Sequence, residues 1–219
     1  MKKFFLLGGV SAMLFAASCQ DAPKADQAEV ADAQDVQNSE GVVVPVDLSS
    51  SKVQWVGTKP VGSHTGSIQI KEGTVVLSGD AVTGGQFVLD ATSIQPVDQD
   101  EEGNTKLRNH LLSGDFFEAE TYPEFVFEIT NVVEGVEPSE ELIMKDATHM
   151  VTGNLTMKGI TKSITFPAKI ESNDSKVLAH ANFNIDRTEW GIVYGNDKSL
   201  GDQFIHPMIN LELHVEGNK

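Results

Sequence analysis

Histidine and cysteine are the side chains of this sequence best suited to metal binding or redox chemistry. The chain has one cysteine and six histidines. The histidines are His64, His110, His149, His180, His206 and His214. None of them forms an HExxH pattern, and a single cysteine excludes an internal disulfide, a Cys-ligated zinc cluster and CxxC chemistry. We therefore predict no metal site and no resident cofactor.

The serines that could act as nucleophiles have no recognisable catalytic surroundings. Ser93 and Ser113 lie outside any GxSxG elbow. The loop over 195–201 lacks the glycine spacing of a phosphate loop, and no GK[ST] follows it. Asp90 with His110 would supply an acid–base pair, but an aspartate at a strand end is more simply a turn residue. We therefore predict no catalytic residue.

The single cysteine follows a segment typical of export signals. Two lysines precede an apolar run over 4–17, which is too short to span a bilayer. The residues over 16–19, Ala-Ala-Ser-Cys, resemble a lipobox, with alanine where leucine is more usual. We predict a lipoprotein signal peptide over 1–18, with cleavage before Cys19 and acylation of Cys19. The protein would then be an exported cell-envelope lipoprotein, periplasmic or anchored to the outer membrane.

Charge and composition restrict the partners of the mature chain. Removing 1–18 takes two of the 16 basic residues and none of the 32 acidic ones, so the net charge becomes -18. Such a chain lacks the clustered lysine and arginine that nucleic acid requires. The segment over 19–46 contains no aromatic residue. We predict that it is a disordered acidic tether, because it cannot bury enough surface to offset ordering entropy.

The rest of the chain has the alternation of β-strands. Period-two patterns predict strands near 52–58, 64–70, 74–77, 84–90, 125–130, 150–157, 163–170, 177–185 and 208–215. We predict a tight turn at Glu72-Gly73 and one helix over 107–112, after an acidic loop at 98–102. Phe116 and Phe117 are expected to pack this helix down. An all-β antiparallel barrel or sandwich, with a helical insertion over its opening, follows.

Five segments in a fixed order carry a family resemblance. They are His64-Thr65-Gly66, Asp90 to Ile94, Leu107 to Phe127, Gly153 to Lys162, and Ile185 to Gly191. With these segments the chain resembles the YceI-like family of exported lipid-binding proteins, over 47–217. The resemblance implies an extended eight-stranded antiparallel lipocalin-like barrel with a helix at its mouth. It also implies a long apolar cavity for a polyisoprenoid, an isoprenoid quinone or a fatty-acid-like chain.

Candidate ligand contacts are the apolar alternating positions, although a one-residue slip would exchange inward and outward faces. They are Trp55, Ile68, Phe87, Leu89, Phe125, Phe127, Ile129, Leu155, Phe166 and Phe183. His64 could meet a polar head group, and Arg187 could hold a phosphate or carboxylate bidentately. Plain core packing competes with each apolar assignment, and a structural hydrogen bond or ion pair competes with the two polar ones.

We therefore predict non-catalytic binding, sequestration or transport of an amphiphile with a long isoprenoid or acyl chain. The expected partners are this lipid and a membrane reached through acylated Cys19, and a homodimer is left open. One alternative is a hydrolase or other enzyme acting on such a lipid, with His64 or His110 beside a carboxylate. Another is a structural envelope module whose barrel is filled.

Overall fold

Strands dominate the residues that the computed structural model describes, which are 22–36, 39–137 and 139–219. Three short strands come first: β1 (Asp26–Gln27), β2 (Glu29–Asp32) and β3 (Val42–Pro45). Eight longer strands follow: β4 (Lys52–Lys59), β5 (Gly62–Ser78), β6 (Ala81–Pro96), β7 (Glu124–Glu134), β8 (His149–Met157), β9 (Ile160–Ser172), β10 (Lys176–Asp186) and β11 (Met208–Asn218). Helix α1 (Glu101–Leu112) lies between β6 and β7. Two 3-10 turns, Arg187–Trp190 and Lys198–Gln203, lie between β10 and β11.

The eight longer strands close into an antiparallel barrel. Each pairs with the next along the chain from β4 to β11, and β11 pairs back with β4. The predicted eight-stranded lipocalin-like barrel with one helix is therefore confirmed. The predicted signal peptide over 1–18 and Cys19 lie outside the described residues. No described helix is long and apolar enough to cross a membrane.

Strand β5 is continuous where the sequence predicted a turn. The prediction of a tight turn at Glu72-Gly73 is wrong, because the register against β6 shifts between Ile70 and Glu72 without breaking the ladder. Such a bulge bends a strand and lets the wall curve. A Cβ atom on Gly73 would lie 2.9 Å from Val46 Cγ2, so glycine here allows a close approach of chains.

Helix α1 begins earlier than predicted, inside the segment expected to be an acidic loop. The Asp100 side chain accepts a hydrogen bond from the Gly103 amide at 2.8 Å and caps the helix. Glu101 and Glu102 occupy the first turn, where negative charge interacts favourably with the helix dipole. The acidic residues thus start the helix. Leu111 is buried and fixes the helix to the barrel.

The barrel wall has a gap between β9 and β10. These strands pair over only four positions, from Val177 opposite Ser172 to His180 opposite Lys169. Farther along, β9 pairs instead with β2, and β10 pairs with β1. The short N-terminal strands therefore fill the gap. On the inner side, the rings of Phe166 and Phe183 stack across it, with centroids 4.0 Å apart.

We call residues 22–36 and 39–46 the belt, because they run along the wall of the barrel. After β2, the Gln34 amide donates to Asn154 Oδ1 on β8, and β3 then pairs with β5. The prediction of a disordered tether is therefore wrong for the described part of this segment. Composition alone predicted too little burial, but the barrel supplies strand edges whose backbone groups the belt can pair.

The belt should contribute measurably to stability through Ala28. This residue is 2% exposed, and its amide donates to the Asn184 carbonyl at 2.9 Å. Ala28→Asp places a charge in the core, so we expect the free energy of unfolding to fall by about 2 kcal/mol or more in urea titration. The control is Ala31→Asp, on an exposed position of the same belt. Equal effects of the two variants would contradict a docked belt.

Candidate ligand-binding cavity

The barrel encloses a cavity of about 500 Å³. This volume falls within the range of small-molecule sites, roughly 300–1,000 Å³. Inward-facing apolar side chains from all eight barrel strands form its wall. The barrel interior is therefore not filled by its own side chains, which counts against the filled-barrel alternative.

The strand register determines which of the alternating side chains point into the barrel, a choice that the sequence left open. On β7, Phe125, Phe127 and Ile129 face the cavity, and the residues between them face outward. All ten apolar candidates lie on the cavity wall, as do both polar candidates. They are Trp55, His64, Ile68, Phe87, Leu89, Phe125, Phe127, Ile129, Leu155, Phe166, Phe183 and Arg187. Contact with a ligand remains a prediction for each of them.

A row of phenylalanine rings crosses the cavity wall. Ring centroids are 6.5 Å apart for Phe87 and Phe127, and 5.8 Å apart for Phe127 and Phe166. Phe183 continues the row through its stack on Phe166. A Cβ atom on Gly153 would lie 2.5 Å from Phe127 Cζ. Glycine at this position therefore lets the Phe127 ring lie directly against the backbone of β8.

Glycine also positions Trp55, the largest of the candidate side chains. A Cβ atom on Gly66 would lie 2.4 Å from Trp55 Cζ2. The indole nitrogen of Trp55 donates to the Ser67 carbonyl at 3.4 Å. The glycine of the His64-Thr65-Gly66 segment therefore serves cavity shape, because a larger residue would displace the indole ring.

Aromatic contacts hold the helix at the mouth of the cavity. The His110 ring meets Phe116 and Tyr194 edge-on, at centroid distances of 5.0 and 4.6 Å. Phe117 lies 5.0 Å from the Phe125 ring. Phe116 and Phe117 are buried, and both also line the cavity. They pack the helix down, as expected, and close part of the opening as well.

Arg187 is 1% exposed and reaches the mouth of the cavity. Four of its five N–H groups donate to the carbonyl oxygens of Ile192, Tyr194, Ile205 and His206. Within the described part of the chain, no carboxylate forms an ion pair with it. The expected ion pair with acids of its own loop is therefore not found there. The side chain therefore stabilises the loop between β10 and β11. These four hydrogen bonds use all but one of its five N–H groups.

The charge of Arg187 is held in a largely apolar setting. Burial lowers the pKa of its guanidinium, and the nearby charge of Asp186 acts in the opposite direction. The guanidinium carbon lies 5.8 Å from the centre of the Phe116 ring, where the ring face attracts a cation. The mouth thus carries a fixed positive charge close to its aromatic cover.

His64 forms a hydrogen bond at the rim of the cavity. Its Nδ1 lies 2.9 Å from Asp98 Oδ2, and the Thr65 amide donates to Asp98 Oδ1 at 3.0 Å. Burial acts to raise the pKa of the Asp98 carboxyl, but these two hydrogen bonds and the charge of His64 outweigh it, so the pKa falls. The arrangement joins the start of β5 to the segment before α1.

The candidate serines and histidines of the sequence are not brought together as a nucleophile and its base. His64 and His110 bond to carboxylates, the latter to Asp115 at 3.1 Å. The Ser93 hydroxyl donates to a backbone carbonyl at 2.6 Å, and the Ser113 hydroxyl donates to another at 2.8 Å. Neither hydroxyl is bonded to a histidine ring, so the hydroxyl activation that acyl transfer needs is missing at these residues.

Sequence reasoning missed several polar residues at the mouth. Thr58, Gln203 and His206 line the cavity, together with Tyr194 from the loop between β10 and β11. This loop was recognised only by its turn-forming composition. Thr58 is 2% exposed, and its hydroxyl has no hydrogen-bond partner among the described residues. The strand alternation over 52–58 did indicate that Thr58 is part of β4, but not that its hydroxyl is buried.

A closed antiparallel wall, an apolar cavity and polar groups at the mouth define a binding barrel of lipocalin-like architecture. The YceI-like domain model matches residues 45–217. The chain belongs to this family. A UPF0312 protein of Vibrio parahaemolyticus is 29% identical over 167 residues, which are 72% of this chain and 78% of that protein. A UPF0312 protein of Pseudomonas putida is 33% identical over 113 residues, 50% of this chain and 52% of that protein.

Solved structures share the fold at low sequence identity. Burkholderia cenocepacia BcnA superposes with a TM-score of 0.61 and 20% identity, covering 78% of this chain and 98% of that one. A polyisoprenoid binding domain from Saccharophagus degradans gives 0.56 and 13%, covering 82% of this chain and 99% of that one. At these identities the likeness concerns the fold alone.

Proposed function

We propose that this protein is a non-catalytic carrier that binds a single amphiphile with a long isoprenoid or acyl tail. The observation that supports this most directly is the apolar cavity of the barrel, which has His64, His110 and Arg187 among the polar residues that line it. The tail would lie along the phenylalanine row, with the head group at the mouth. The Saccharophagus degradans neighbour is described as polyisoprenoid binding, which agrees with a tail of this class.

Burial of the tail is sufficient to hold such a ligand. Ten methylenes removed from water contribute about 8 kcal/mol before the cost of immobilising the ligand. Micromolar affinity corresponds to about 8 kcal/mol at the standard state, so a somewhat longer tail or a bonded head group reaches it. Neither burial of the tail nor hydrogen bonding of the head group requires turnover, and no covalent step is part of the proposal.

Ligand retention tests the carrier function. We expect the full chain, purified gently, to carry one lipid per protein in native mass spectrometry. Ala181→Trp fills the cavity from β10 and should reduce the bound fraction at least about tenfold, whereas Leu178→Trp on the outer face of β10 should not. Protein without lipid, and without uptake of added fatty acid or isoprenoid, would refute the proposal. Conversion of the lipid to product would favour the enzyme alternative.

The buried Thr58 hydroxyl offers a separate test of head-group placement. An unbonded hydroxyl costs free energy in the ligand-free protein, and a ligand oxygen at the mouth would relieve that cost. Thr58→Val should therefore raise the free energy of unfolding by about 1 kcal/mol while weakening lipid binding by about fivefold to tenfold. Calorimetry and urea titration measure the two changes. Unchanged binding would place the head group elsewhere.

We further propose that the carrier is an exported lipoprotein, held to a membrane of the cell envelope by acylated Cys19. The support is the lysine-led apolar run that ends in the single cysteine of the chain. Cells grown with an alkyne-tagged palmitate should label the wild-type protein and leave Cys19→Ser unlabelled. Ser18→Ala is the matched control, because it keeps the cysteine and a small residue before it. Label on the Cys19→Ser protein would contradict acylation at this position.

A further inference from the structure

Three side chains of types that can ligate a metal ion converge on the outer face of the barrel. His180 lies on β10, and Glu212 and His214 lie on β11. One ligand atom from each lies within 4.8 Å of the others. Nε2 of His180 and Nε2 of His214 are each 3.4 Å from the same oxygen, Glu212 Oε1. His180 also borders the cavity, whereas Glu212 and His214 do not line it.

The strand ladder sets this convergence. His180 stands directly opposite His214 in the β10–β11 register. Glu212 and His214 are two residues apart, so they project from the same face of β11. The two imidazole rings stack with centroids 4.4 Å apart and planes 23° apart. Because the backbone positions are fixed by hydrogen bonds on both sides, only side-chain rotations are needed to bring the ligand atoms together.

The donor set suits a divalent transition metal. Two imidazole nitrogens and one carboxylate oxygen are typical zinc ligands, with bond lengths of about 2.0–2.2 Å. The side chains of His180, Glu212 and His214 are 35%, 38% and 49% exposed, which leaves room for water in a fourth position. We propose that these three residues bind a zinc-like divalent ion on the barrel surface.

The surrounding charges permit a cation here. Two lysines flank the cluster, Lys169 on β9 and Lys52 on β4. Lys169 is itself ion-paired, with Asp146 at 3.7 Å and with Glu171 at 3.4 Å. The chain as a whole carries a formal charge of -16. The net charge of the protein therefore attracts cations, and one of the two flanking lysines is partly neutralised.

A bound ion would link β10 to β11 beside the gap in the wall. His180 is the last residue of β10 that pairs with β9, so the ion would tie this end of the short β9–β10 ladder to β11. An ion that binds only the folded chain raises its unfolding temperature. This gives a readout that does not depend on lipid binding, and the proposal does not rest on the carrier function.

Calorimetric titration with zinc chloride tests the site in the full chain. Every protein carries Cys19→Ser, because a free thiolate is a strong zinc ligand. We expect one zinc per chain and a higher unfolding temperature with zinc. His214→Ala and Glu212→Gln should each weaken binding at least about tenfold, and the double variant His180→Ala/His214→Ala should abolish it. The matched control is His149→Ala on β8, which should bind zinc as the parent does.

The same variants also define the results that would contradict the proposed metal site. Circular dichroism establishes that each variant is folded, and Glu212→Gln keeps both histidines and nearly the same side-chain volume. Absence of zinc binding up to about 1 mM in the parent would overturn the proposal. So would zinc binding of equal strength in the folded double variant, since the ion would then be held elsewhere. A visible Co²⁺ absorption band that the double variant lacks would support the three-ligand site.

Discussion

Closure of the hydrogen-bond ladder is the constraint on which this structure depends. Each barrel strand has two neighbours, so the backbone is satisfied without help from the interior. An open cavity can therefore persist in the middle of the molecule. Where the ladder alone falls short, between β9 and β10, the belt completes it from outside and the Phe166–Phe183 stack covers it from inside.

Much of the fold could be predicted because alternation is a local property. The sequence from Phe125 to Ile129 shows which side chains share a face, and the register of β7 between β6 and β8 then turns that face inward. The choice of inward parity depends on neighbouring strands, so it could not be read from one strand. The bulge in β5 has the same origin, since Glu72-Gly73 resembles a turn until its pairing with β6 is known.

The parts that escaped prediction depend on partners distant in sequence. The belt has the composition of a disordered segment, and its pairing with β5, β9 and β10 explains why the described part is ordered. Arg187 was expected to meet an acid or a ligand, yet its donors serve the carbonyls of a turn-rich loop that folds around it. His180 and His214 are separated by a long loop in the sequence, and only the β10–β11 register places them side by side.

With Cys19 acylated as proposed, the belt would also limit how far the barrel could stand from a bilayer. Cys19 precedes Asp26 by only seven residues, which span at most about 25 Å when fully extended. In an acylated chain, a short linker would thus connect Cys19 to the β9–β10 side of the barrel wall. Such a molecule could not tumble freely above the lipid surface. The side of the wall where β1 pairs with β10 would be the part of the barrel nearest its anchor.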